Sequence, residues 1–119
     1  MVKDKKAAQN RADVLFSEYI RQRDPVCQKC SSHAPLLHCA HYIGRVNKRL
    51  RYDEQNALSL CVKCHLEWSH KNPKEFTEWF KGKYPDRYEY LIKAKNEVVK
   101  LDYDVVVSEL KEKINGKGK

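Results

Sequence analysis

Two Cys-x-x-Cys pairs, Cys27 with Cys30 and Cys61 with Cys64, constrain this chain more than any other feature. Each pair offers two thiolates from one tight turn, and four thiolates close the tetrahedral shell of a zinc ion, so the metal expected here is structural. The chain has 5 cysteines, an odd number, and neither pair sits beside the βαβ pattern that accompanies a redox Cys-x-x-Cys. Metal ligation is therefore expected rather than disulfides. Cys39 is left over as a small apolar side chain. His33 stands close to the first pair, but four sulfurs suffice without it, and it reads as a loop residue.

The same pairing sets the architecture. At 119 residues the chain can bury a core but has little stability to spare, and a metal staple supplies what is missing. Residues 31–60, between the pairs, exceed what a plain zinc ribbon needs. Apolar runs at 36–43 and 57–60 with a basic turn between them fill the excess as a β-hairpin, and the second pair leads into a helix. Upstream, Ala8, Ala12, Leu15, Phe16, Tyr19 and Ile20 recur at helical spacing before Pro25. Downstream, Asn72 as N-cap and Pro73 as N1 open a helix with Phe76, Trp79 and Phe80 on one face, ending near Gly82. Pro85 and Asp86 open a second, with Tyr88, Leu91, Ile92 and Val98 on its face. Tyr103, Val106, Val107, Leu110 and Ile114 mark a third, stopped by Gly116.

The expectation is one α+β domain over 1–119. An N-terminal helix (1–24) and about three C-terminal helices (71–115) flank a small zinc-stapled core (25–70), and 116–119 form a frayed basic tail.

The 24 Lys and Arg against 16 Asp and Glu leave a net charge of +8, which draws the protein to polyanions, nucleic acid first. Arg45, Lys48, Arg49 and Arg51 crowd four cations into the segment just after the first apolar run, a density suited to gripping backbone phosphates. No apolar run is long enough for a bilayer, and the basic start is not followed by an apolar signal region, so a soluble, cytoplasmic protein with no membrane partner is expected.

Hydrolysis of a phosphodiester needs a base for water, a cation at the phosphate and a scaffold that holds both. His41 ends the first apolar run, Asn56 precedes Cys61, and His65 follows Cys64. Singly, each has a plainer role: the histidines as hydrogen-bonded polar groups beside a knuckle, Asn56 as a turn residue.

Together, HCAHYIGR followed by NALSLCVKCH resembles the HNH, or ββα-metal, endonucleases, in which an Asn precedes a Cys-x-x-Cys and a His or Asn follows it. More narrowly, the stretch CAHYIGRVNKRLRYDEQNALSLCVKCHLEWS is similar to the phage NinG-type recombination endonucleases, and the likeness covers Cys27 to Ser69. It implies a ββα-metal module in which His41 is the general base, Asn56 braces the hairpin loop and the base, and His65 holds a catalytic Mg²⁺ or Mn²⁺. It also implies DNA as substrate, branched or partly single-stranded DNA among the candidates, in phage or prophage recombination within a bacterial cell.

Many members of that family carry Asp or His immediately before the base as a second metal ligand, and this chain has Ala40. His38, two positions back on the same strand face, is the expected substitute. Asp53 is the weaker choice and more simply a turn residue. His70, five residues after His65, lies past the i+4 position that shares a helical face, while Glu67 and Trp68 read as a solvated charge and a core aromatic. Ala40 also keeps open a rival reading, a non-catalytic zinc module that binds DNA or a recombination protein. A restriction-like or colicin-like toxin nuclease is a third, and the flanking helices leave room for a homodimer.

Overall fold

The computed structural model describes residues 5–116. Helix α1 (Lys5–Arg23) forms where the apolar residues recur at helical spacing, and Ala12, Phe16, Tyr19 and Ile20 of that stripe are the residues it buries. Alongside runs a second stripe at the same spacing, Asp13, Ser17 and Arg21, which is polar and lines a cleft. One helix thereby carries a packing face and a site-lining face.

Strands β1 (Leu37–His41) and β2 (Ala57–Cys61) pair antiparallel, with His38 opposite Leu60, Ala40 opposite Leu58 and His41 opposite Ala57. Side chains alternate across a strand, so the hairpin divides the core in two. Ala40, Leu58 and Leu60 pack with Leu50, Phe76, Phe80 and Leu91 on one side. Ala57 and Cys39 pack with Phe16, Tyr19, Ile20 and Leu110 on the other. All of β2 is buried. The sheet has two strands, so among the described residues the outer edge of β1 pairs with no further strand.

Helices α2 (Pro73–Lys83) and α3 (Pro85–Ala94) cover the first side of the hairpin, where Tyr42 stacks on Phe80 with ring centroids 4.5 Å apart. A fully buried phenylalanine such as Phe80 stabilises the fold by about 2–3 kcal/mol relative to leaving it in water. Helix α4 (Tyr103–Gly116) packs through Leu110 against the α1 side. Among the described residues no helix is long and apolar enough to cross a membrane.

Several elements depart from the sequence expectations. Asn72 occupies the N-cap position of α2 but makes no side-chain capping bond, although α2 does end at Lys83, beside Gly82 as expected. Helix α3 stops at Ala94, so Val98 lies in the connection and is 97% exposed rather than on a helical face. Gly116 is the last helical residue of α4, and the basic tail at 117–119 lies outside the described residues. The helix after the second cysteine pair is wound as a π-helix over Lys63–Ser69.

Two guanidinium groups hold the end of the hairpin loop. Arg23 from α1 donates to the carbonyls of Glu54 and Ala57, both at 2.6 Å. Arg87 from α3 donates to those of Gln55 and Ala57, both at 3.0 Å. The short 3-10 turn Glu54–Asn56 is thus clamped from both sides of the molecule, which fixes where Asn56 stands.

Candidate active site and metal centres

The four cysteines of the two pairs form one cluster, with all sulfurs within 4.8 Å of one another. Cys30 Sγ and Cys61 Sγ lie 3.8 Å apart, close to the edge of about 3.8 Å that a tetrahedron with metal–sulfur bonds of about 2.3 Å requires. This cluster can hold a structural metal such as zinc. The first knuckle closes through Ser31 N–H donating to Cys27 O at 2.8 Å, with Ser31 in the left-handed region at φ 63°. Burial opposes ionisation of Cys27, but the backbone N–H groups of Cys30, Cys61 and Lys29 outweigh it and bring the thiol down to about 7. Burial and the sulfurs of Cys61 and Cys27 push Cys64 upward. Four thiolates at this spacing would repel one another, and a dication at their centre would let them coexist. Cys39 stands apart from them. Burial pushes its thiol up to about 12, in keeping with an apolar packing role.

Along the open edge of β1 lies a cleft of about 470 Å³ into which His38, His41, His65 and His70 all face, with α1 forming the opposite wall through Asp13, Phe16, Ser17 and Arg21. The histidines reach it by different routes. His41 sits on the α1 side of the strand, its ring 5.5 Å from that of Phe16. His38 sits on the other side and meets the π-helical segment, with its Nδ1 2.9 Å from Nδ1 of His65.

The orientation of His41 is set by one bond. Its Nε2 lies 2.9 Å from the carbonyl oxygen of Arg51. A carbonyl can only accept, so the ring proton resides on Nε2 and Nδ1 keeps its lone pair. Burial, with the charges of Arg45 and Arg51, holds the imidazole below its ordinary pKa of 6.5 against the opposing pull of the Arg51 carbonyl and Asp13. The ring is therefore neutral at pH 7.

Asn56 is fully buried, and its amide spans the hairpin loop. Its Oδ1 accepts from Ile43 N–H at 2.7 Å, and its Nδ2 donates to Ile43 O at 2.8 Å and Leu50 O at 3.1 Å. The backbone of Asn56 also accepts from Tyr42 N–H at 2.8 Å. The side chain thus ties Ile43, two residues after His41, to Leu50 across the loop, while the Asn56 backbone holds Tyr42.

Winding decides the place of His70. In a π-helix the hydrogen bond runs from i to i+5, and His70 N–H donates to His65 O at 3.1 Å. Residues five apart are then bonded neighbours on successive turns, and the two rings meet with centroids 4.4 Å apart. The expectation that His70 falls off the face of His65 assumed α-helical winding, and the π-helix overturns it. Burial, with His70, His38 and His41 nearby, lowers His65 to about 4, leaving a neutral imidazole able to bind a cation. Among the described residues the cysteines are the only group of three or more potential ligands within mutual reach, so His38 and His65 stand as a pair.

The basic loop residues separate. Arg45 lines the cleft with its side chain 60% exposed. Arg51 is held by Asp13, with Nε to Oδ1 at 3.0 Å and Nη2 to Oδ2 at 2.7 Å. Arg49 is engaged by Glu97, Asp53 and Tyr90, and Lys48 is exposed beside grooves bordered by residues 99–102 and α4. Neither of these two lines the cleft. Asp53 caps the turn at Gln55 N–H and does not line the cleft either. Glu67 is solvated, and Trp68 is half-buried, donating to Glu75 at 2.7 Å. The contribution of α1 was missed from sequence; its signal was the polar stripe Asp13, Ser17 and Arg21 beside the apolar one. No protein-family model, characterised protein or solved structure matches this chain.

Proposed function

We propose that this protein is a metal-dependent DNA endonuclease of the HNH type. In this reading His41 is the base that activates water, Asn56 braces the loop, and His65 with His38 binds a catalytic Mg²⁺ or Mn²⁺. The observation that carries the reading is the convergence, in one cleft, of a histidine with a single defined tautomer and an imidazole pair whose nitrogens are 2.9 Å apart. That separation is close to the edge of about 3 Å expected for adjacent ligands of an octahedral ion with bonds of about 2.1 Å. It lets His38 stand in for the acidic or basic residue that Ala40 replaces.

The chain's own groups account for the rest. Nδ1 of His41 accepts a proton from water, and burial keeps the ring neutral to do so. Arg45 at the rim offers a phosphate contact, and the net charge of +8 draws DNA toward the cleft. A divalent ion bound by the imidazole pair supplies charge stabilisation at the scissile phosphate. Processing of branched DNA in phage or prophage recombination is the setting that fits this chemistry.

The test uses zinc-loaded protein with plasmid and branched DNA, in Mg²⁺, in Mn²⁺ and in EDTA, beside His41→Ala. Metal-dependent cleavage that falls by 10²- to 10⁴-fold or so in the variant supports the mechanism. Cleavage that survives the substitution or the chelator overturns it. If neither protein cuts and both bind DNA with a steep salt dependence, the module is a DNA-binding one.

A further inference from the structure

We propose that Asp13, on α1, is a positioning residue for His41: acting through Arg51, it holds the carbonyl that selects the tautomer of the base. This rests on the reading of His41 as general base and goes beyond it, because α1 lies outside the cysteine-framed segment that carries the catalytic residues.

The chain of contacts is short. Asp13 Oδ1 accepts from Arg51 Nε at 3.0 Å and from Tyr52 Oη at 2.8 Å, and Oδ2 accepts from Arg51 Nη2 at 2.7 Å. Arg45 Nη1 lies 3.8 Å from Oδ2, and Arg51 Nη1 donates to the Arg45 carbonyl at 3.3 Å. One carboxylate therefore gathers Arg45, Arg51 and Tyr52 of the loop. The two-pronged bond docks the Arg51 guanidinium in a single geometry, and the backbone carbonyl of that residue is the partner of His41 Nε2.

The same helix reaches the base directly. Phe16, one turn after Asp13, packs against the His41 ring. The aromatic contact sets where the ring lies, and the Asp13–Arg51 contact sets which nitrogen carries the proton. A bare ring contact cannot do the second, because both tautomers have the same shape. Asp13 also lines the cleft, which raises the question of metal binding. Its oxygens are already occupied by Arg51 and Tyr52, and hydrogen bonds from both outweigh burial to keep the carboxyl ionised. Its geometry is that of an anchor.

The experiment compares Asp13→Ala, Asp13→Asn, Arg51→Ala and Asp13→Ala/Arg51→Ala with the parent in the full, zinc-loaded chain. Imidazole ¹⁵N–¹H correlation spectra read the His41 tautomer whether or not the protein cuts DNA. The parent should show a proton on Nε2, Asp13→Ala a mixture of tautomers at unchanged zinc content, and Asp13→Asn, which keeps one acceptor oxygen, an intermediate state. Cleavage should lose about ten- to a hundredfold in kcat, the effect of misplacing a catalytic group, with KM within about twofold of the parent. The double variant should lose no more than Arg51→Ala alone. A His41 that keeps its Nε2 proton in Asp13→Ala overturns the proposal, as does a rise in KM at constant kcat. Should Asp13→Ala fail to fold, the tautomer and kcat of Asp13→Asn decide. If the parent does not cut DNA but Asp13→Ala still mixes the tautomers, the positioning stands and the nuclease reading falls.

Discussion

The cysteine cluster and the histidine cleft lie at the same hairpin but are built in opposite ways. The cluster takes all four sulfurs from two short turns, with Cys27 fully buried and Cys30 exposed. The cleft draws its groups from β1, the loop, the π-helical segment and α1, and remains partly open. A closed shell of four protein ligands uses its metal to hold the chain together, whereas a pair of imidazoles leaves positions free for water and substrate. Breaking the first should therefore cost folding, and breaking the second should cost chemistry.

The sharpest separation comes from Cys61→Ser. Metal binding by small zinc modules contributes on the order of 10 kcal/mol to folding, so this variant should lose zinc and its cooperative thermal transition together, read by metal analysis and circular dichroism. Unchanged melting and zinc content would remove the distinction between the two regions.

Asn56→Ala tests the seam where they join. It leaves Ile43 N–H and the carbonyls of Ile43 and Leu50 without their partner, and orphaned groups of this kind cost about 1–3 kcal/mol each at most. A loss of about 3 kcal/mol in urea denaturation, with zinc retained, is expected; a loss below about 1 kcal/mol would mean that the clamps from Arg23 and Arg87 hold the loop by themselves.

His65→Ala should reverse the pattern of Cys61→Ser. Stability should change by about 1 kcal/mol or less, while binding of Mn²⁺ to the zinc-loaded protein, followed by electron paramagnetic resonance, should disappear. Retention of Mn²⁺ would place the ion elsewhere.

The pH dependence of cleavage follows from His41. If His41 is the base, its neutral form is the active one, and burial moves its pKa below 6.5, so the acid limb of the cleavage rate should be centred below 6.5. An acid limb centred above 6.5 would exclude His41 as the base. The smallest effect is expected at Ser31, whose φ of 63° is the region that glycine adopts without strain. Ser31→Gly should stabilise the knuckle by about 0.5–1 kcal/mol in thermal denaturation, and destabilisation would show that the Ser31 side chain contributes more than its backbone strain removes.

Features governed by near neighbours were legible along the chain. The stripe Ala12, Phe16, Tyr19 and Ile20 announces the buried face of α1, Pro73 and Pro85 open their helices, and the apolar runs on either side of the basic turn become β1 and β2. Other features were hidden. Val98 fits a helical spacing yet lies beyond the end of α3, because periodicity alone does not say where a helix stops. Arg49 and Arg51 look equivalent in the basic run, but Glu97 and Asp53 take one while Asp13 takes the other.

The sequence by itself determined the cysteine cluster, the hairpin between its halves and the identity of the histidines, since these depend on turns and spacings of a few residues. Only the tertiary structure decided the cleft: the π-winding that brings His70 beside His65, the approach of His38 to His65, and the reach of Asp13 on α1 to Arg51 behind His41. These partners are far apart in the chain or depend on how a turn is wound. Their meeting is set by how α1 and the π-helical segment pack against the two sides of one hairpin, an outcome that no local spacing encodes.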